Sequence, residues 1–166
     1  MSIKSRLAAV LAPLVLLLSL LVATGTSAQA SVPTTYCNGR SYTFVVKNYT
    51  RGTAHLPLRC GNSRFGFLHV TARWNAAFDA NIALTIARGE STSDVQQDGG
   101  SAIYALFDNN CNELFRVIYN GGAYNGNGVR PQGIITAYAP GPISTIAPDT
   151  ARTPAYRTDC PIIQNI

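Results

Sequence analysis

Four cysteines, Cys37, Cys60, Cys111 and Cys160, constrain this chain more than any other feature. An even number of cysteines following an export segment reads as two disulfides, which tie distant parts of a small domain together. Three pairings are possible, and sequence alone does not choose among them. The expected one is Cys37–Cys60, closing a hairpin, with Cys111–Cys160 pinning the tail to a strand connection. Zinc ligation is the alternative, but close C-x-x-C spacing is missing and the four lie far apart.

The export segment is residues 1–30. Lys4 and Arg6 form a positive start, Leu7 to Val22 is almost wholly apolar, and Ala28-Gln29-Ala30 matches a signal-peptidase site. A membrane anchor is the rival, since about sixteen apolar residues approach the roughly twenty that span a bilayer. The run fades into Thr24-Gly25-Thr26-Ser27 without flanking charge, which favours cleavage after Ala30. The expected mature product is residues 31–166, with no membrane segment. Removing Lys4 and Arg6 takes the formal charge from +5 to +3, with Lys47 the one lysine left. Such a charge permits an anionic partner without requiring one.

Periodicity then divides the mature chain. Residues 42–47 are β-branched and aromatic and predict a strand. Residues 48–52 are turn-rich, and 55–59 predict a short return strand kept irregular by Pro57. Residues 67–73 suit a short helix ahead of Trp74. Asn75 suits an N-cap for a longer helix carrying Phe78, Ile82 and Ile86 on one stripe, with Gly89 as its C′ residue. Residues 90–100 predict a polar surface loop. Strands follow at 101–107, 113–119 and 133–138, with a glycine-rich loop over 120–130. Helices segregated from antiparallel strands define an α+β class: a strand hairpin and helices on a small antiparallel sheet. One domain over 31–139 is expected, then an irregular proline-rich tail over 140–166 held by Cys160.

Several chemistries are poorly supported. There is no G-x-S-x-G elbow, no H-E-x-x-H and no phosphate-binding glycine loop before a helix. Carboxylates are sparse, against paired-acid glycosidases and two-metal nucleases. A third reading, an ADP-ribosyl or other transferase, finds no convincing arginine-serine-glutamate set, with Glu90 and Glu113 the only glutamates. What remains is His69, able to take and give a proton, with Arg73 one helical turn on. A structural histidine and a surface arginine are the plain alternatives. Thr136 and Tyr138, two apart on a strand, share a face that should also present Ile134; they are equally ordinary strand formers.

Across Leu58 to Tyr138 the chain resembles the nuclease-toxin domains grouped with barnase, EndoU, colicin tRNases and RelE. The resemblance rests on Arg59-Cys60-Gly61-Asn62 and Phe65-Gly66-Phe67-Leu68-His69-Val70. It continues through the helix with Ile82, Thr85 and Gly89 to Gly133-Ile134-Ile135-Thr136-Ala137-Tyr138. It implies a secreted ribonuclease-like effector or antibacterial toxin that cleaves RNA by acid-base transesterification without metal or cofactor. In that reading His69 is base or acid, Arg73 contacts phosphate, and Thr136 and Tyr138 orient it. Arg59, Trp74 and His55 would lie on the substrate side. Many relatives carry a second histidine just after the first, where this chain has Ala72, Arg73 and Trp74; His55 is the candidate replacement. A monomer acting on RNA is implied, with an immunity protein as a further partner. The competing reading is a non-enzymatic exported module that binds an anionic polymer or a protein.

Overall fold

The computed structural model describes residues 31–92, 100–124, 129–141 and 156–163. The expected signal peptide and most of the tail lie outside the described residues. Among the described residues six strands and two α-helices run in the order β1 (Val45–Arg51), β2 (Ala54–Arg59), α1 (Gly66–Val70), α2 (Ala76–Arg88), β3 (Glu90–Ser91), β4 (Ser101–Phe107), β5 (Glu113–Asn120) and β6 (Gly133–Tyr138). A 3-10 turn, Thr71–Arg73, joins α1 to the segment before α2. The architecture is α+β, with two antiparallel sheets and both expected disulfides.

Helix α2 organises the core. The Asn75 side chain accepts a hydrogen bond from the Phe78 amide at 2.9 Å, satisfying one of the unpaired donors of the first turn. Phe78, Ile82 and Ile86 then fall on one buried stripe. Gly89 does end the helix, but not through a left-handed backbone: its φ is −68°. Its reason is space, because a Cβ there would lie 2.5 Å from the Thr85 carbonyl oxygen and 2.6 Å from that of Ala105. Arg51 completes the end by donating to the Ile86 and Gly89 carbonyls at 2.8 and 3.0 Å, which places a cation at the negative end of the helix dipole.

The larger sheet has the order β3-β4-β5-β6. Strict alternation sends Ala102, Tyr104 and Leu106 of β4 and Phe115, Val117 and Tyr119 of β5 into the core beneath α2. On β6 the alternation breaks. Ile118 pairs with Thr136 while Tyr119 pairs with Ile134, so Ile135 is an extra residue forming a bulge. Ile134 and Ala137 therefore both reach the core, whereas Thr136 and Tyr138 lie on the opposite face with Arg116 and Ile118. The expected shared face of Ile134, Thr136 and Tyr138 is thus corrected by one inserted residue. The segment after α2 also differs from expectation: Glu90 and Ser91 form a short edge strand against Ala105 and Tyr104.

The hairpin β1-β2 is longer than its composition suggested. Asn48 to Arg51 belong to the strand, and the reversal comes at Gly52, with φ +57°. Pro57 sits within the paired register, opposite Asn48. Its carbonyl meets Gly133 so closely that a Cβ there would lie 2.2 Å away, which brings β2 against the start of β6. Lys47 and Tyr49 reach from β1 to α2. The lysine amine donates to both Asp79 carboxylate oxygens at 2.8 Å, and the Tyr49 hydroxyl donates to one at 2.7 Å. A carboxylate that is only 7% exposed needs this charge and these donors. Burial, followed by the Asp79 charge and hydrogen bond, holds the Tyr49 hydroxyl protonated far above its ordinary range.

Cys37–Cys60 joins the segment before β1 to the end of β2, and Cys111–Cys160 joins the β4-β5 turn to the tail. Cys160 is buried with Ala105 and Phe107 in a small second cluster, and Arg157 bridges to Phe107. Part of the tail thus covers the sheet face that α2 leaves open. Among the described residues no helix is long and apolar enough to cross a membrane.

Candidate functional site

A tight loop from Gly61 to Gly66 builds the surroundings of His69. Both glycines adopt positive φ, +65° and +76°, and neither has room for a side chain. A Cβ on Gly61 would overlap the Phe65 carbonyl oxygen, and one on Gly66 would lie 2.6 Å from the Arg59 carbonyl oxygen. Asn62 closes the loop through its amide to the Phe65 carbonyl at 2.9 Å, and its side chain accepts from the Arg64 amide at 2.8 Å. Helix α1 follows, tied to β2 by the Leu68 amide donating to the Cys60 carbonyl.

The half-buried His69 ring lies with Nδ1 2.8 Å from the Ser63 carbonyl oxygen. A carbonyl only accepts, so this contact places the proton on Nδ1. In the neutral ring Nε2 then carries the lone pair, the arrangement a general base requires. Arg73, exposed at the end of the 3-10 turn, points its Nη2 at the Thr136 hydroxyl from 3.5 Å, a long contact. The structure therefore brings Arg73 and Thr136 together at the edge of β6, against which α1 packs.

The remaining expected site residues go elsewhere. Tyr138 shares a face with Thr136 but interacts with Arg116. That guanidinium also binds Glu113 (Nε to Oε1, 2.6 Å) and the Ile163 carbonyl at 3.1 Å. Its pKa is held above the ordinary arginine value, chiefly by the Glu113 hydrogen bonds. His55 is exposed near the hairpin turn, opposite Thr50. It is four residues up β2 from Arg59, about 13 Å at the usual strand rise, and among the described residues no hydrogen bond joins it to His69. Arg59 donates to the Pro131 and Thr43 carbonyls at 2.9 and 2.6 Å and so clamps loops. Trp74 is 7% exposed, edge-on to Phe67 and Phe78, with its indole N–H donated to the Val32 carbonyl. Both positions are structural.

Aromatic residues outside the motifs named above lie close to the loop. Tyr124 stacks on Phe65 at 4.6 Å between centroids and lies 6.1 Å from Tyr42; the Asn62 amide donates to its hydroxyl at 3.2 Å. The Arg40 guanidinium sits over the rings of Tyr36 and Phe44 at 4.5 and 4.7 Å. A signal was available. From residue 31 to 78 the chain holds six basic residues and no acidic one, and from 79 to 166 it holds five basic and eight acidic. Asymmetry of that kind points to a polyanion. No protein-family model, curated protein or solved structure matches the chain.

Proposed function

We propose that this is an exported, disulfide-stabilised ribonuclease-like effector that binds RNA on its basic side and cleaves it with His69 as base. The observation that carries the reading is the Nδ1–H of His69 held by the Ser63 carbonyl, which leaves Nε2 to accept a proton. In the reaction Nε2 takes the proton of a ribose 2′-hydroxyl, and the 2′-oxygen bonds to the adjacent phosphorus. The bond from phosphorus to the 5′-oxygen breaks, leaving a 2′,3′-cyclic phosphate and a 5′-hydroxyl whose proton comes from solvent. Arg73, beside Thr136, holds the phosphate charge. Export is supported by the two disulfides, which suit an oxidising compartment, and by the apolar leader in the sequence.

One acid-base group in place of two predicts a slow enzyme, short of the roughly 10²–10⁴-fold that a positioned acid supplies. Among the described residues no hydrogen bond joins His55 to His69, which favours a second reading, a module that holds an anionic polymer without cutting it. Oxidised protein incubated with total RNA in chelator separates the two. Cleavage to cyclic-phosphate ends that His69→Ala abolishes supports the enzyme. RNA bound but left intact by the parent protein removes the catalytic claim and leaves the binding one.

A further inference from the structure

We infer that Tyr42 and Phe44, with Arg40 and Arg64, form a stacking platform for single-stranded RNA beside His69. The choice of RNA rests on the proposed function; the platform itself rests on separate observations. Tyr42 and Phe44 are 39% and 38% exposed, unusual for large rings flanking one short turn. The turn is fixed. The Phe44 amide donates to the Ser41 carbonyl, while the Cys60 and Gly61 amides donate to the carbonyls of Phe44 and Tyr42. Those bonds place both aromatic residues against the start of the 61–66 loop, whose Ser63 positions His69 and whose Asn62 holds Tyr124.

The charge of this region fits the partner. Of its six basic residues, Lys47 is paired with Asp79 and Arg51 and Arg59 bind carbonyls. Arg40, Arg64 and Arg73 are exposed and form no ion pair among the described residues, where Arg40 gives a carbonyl only its Nε, to Tyr36 at 2.7 Å. Exposed rings next to unpaired arginines suit a strand whose bases are unstacked and whose phosphates lie outward. A duplex keeps its bases paired and offers those rings nothing. Two rings near the base also give the reaction a means to hold the nucleotides on either side of the scissile phosphate.

The test uses the whole oxidised protein and a fluorescent 2′-O-methyl RNA 12-mer, which has no attacking hydroxyl, so binding is read apart from cleavage. Tyr42→Ala and Phe44→Ala should each weaken binding about 5- to 100-fold, and the matching duplex should bind more weakly than the single strand. Tyr42→Leu keeps apolar bulk without the aromatic face and should behave as Tyr42→Ala, with the parental melting temperature as the check on folding. Arg40→Gln should reduce the slope of log affinity against log salt by about one. Aromatic variants that bind as the parent does, a duplex bound as tightly as the single strand, or no binding at all would each overturn the platform. Intact natural RNA with tight binding to the 12-mer would sink the catalytic reading alone.

Discussion

The two faces of the four-stranded sheet are closed in different ways. Toward α2 the face is continuous hydrocarbon: Tyr104, Leu106, Phe115, Val117 and Ile134 pack against Phe78, Ile82 and Ile86. Many small contacts share the stabilisation there. Away from α2 the face carries Arg116, Ile118, Thr136 and Tyr138, and its cover is a tail segment attached through Cys160. One face is held by packing and the other by a crosslink and a buried ion pair. The packed face sets the fold, and the edge of the polar face, at β6, is where Arg73 meets Thr136.

The packed face should be the more costly to damage. Ile82→Ala removes a fully buried side chain from the middle of the α2 stripe and should cost about 2–5 kcal/mol in urea denaturation. On the other face, replacing Cys111 and Cys160 by serine opens a 49-residue separation and should cost about 2–4 kcal/mol. The order of events sharpens the contrast. Protease should cut within 156–163 before the fluorescence of the single tryptophan, Trp74, reports loss of the packed face. Simultaneous loss of both would show that the tail is integral to the core.

Smaller effects test how polar groups are tolerated on the packed side. Tyr49→Phe deletes one donor to buried Asp79 and should cost about 1–2 kcal/mol. Its pH dependence has a definite sign. Folding raises the Tyr49 pKa above its ordinary value of 10.0, so the contribution is whole below that pH and is lost as pH climbs past it. The variant should therefore show a shallower alkaline fall in stability than the parent. Thr85→Val should change stability by about 0.5 kcal/mol or less, because the buried Thr85 hydroxyl has no hydrogen-bond partner among the described residues. A large loss on thermal melting would reveal a partner for that hydroxyl.

The parts legible in the sequence were those in which side-chain chemistry repeats. The Asn75 cap and the Phe78, Ile82, Ile86 stripe announced α2, and alternation announced β4 and β5. The β6 bulge left no mark, since Ile134 and Ile135 are both apolar and either could face the core. Glu90 and Ser91 join the sheet in register with Ala105 and Tyr104, and neither residue type favours a strand. Asn48 to Arg51 look like a turn by residue type, yet buried Tyr49, opposite buried Leu56, holds them in the hairpin. Of the candidate site, the proximity of Arg73 to Thr136 was implied only by the family resemblance, since no helix or strand spacing relates residues 63 apart. The structural duties of Arg59 and Trp74 were not, because both depend on carbonyls distant in the chain: Pro131 for one and Val32 for the other.

Arg40, Tyr42 and Phe44 all lie between Cys37 and Cys60, inside the first covalent ring. Their arrangement is therefore conditional on oxidation. A freshly made chain in a reducing cytosol has the hairpin sequence but not the closure that presses this segment onto the 61–66 loop. Under the proposed function the producing cell would be shielded by that chemistry, and affinity for the 12-mer should rise when a reduced sample is allowed to oxidise.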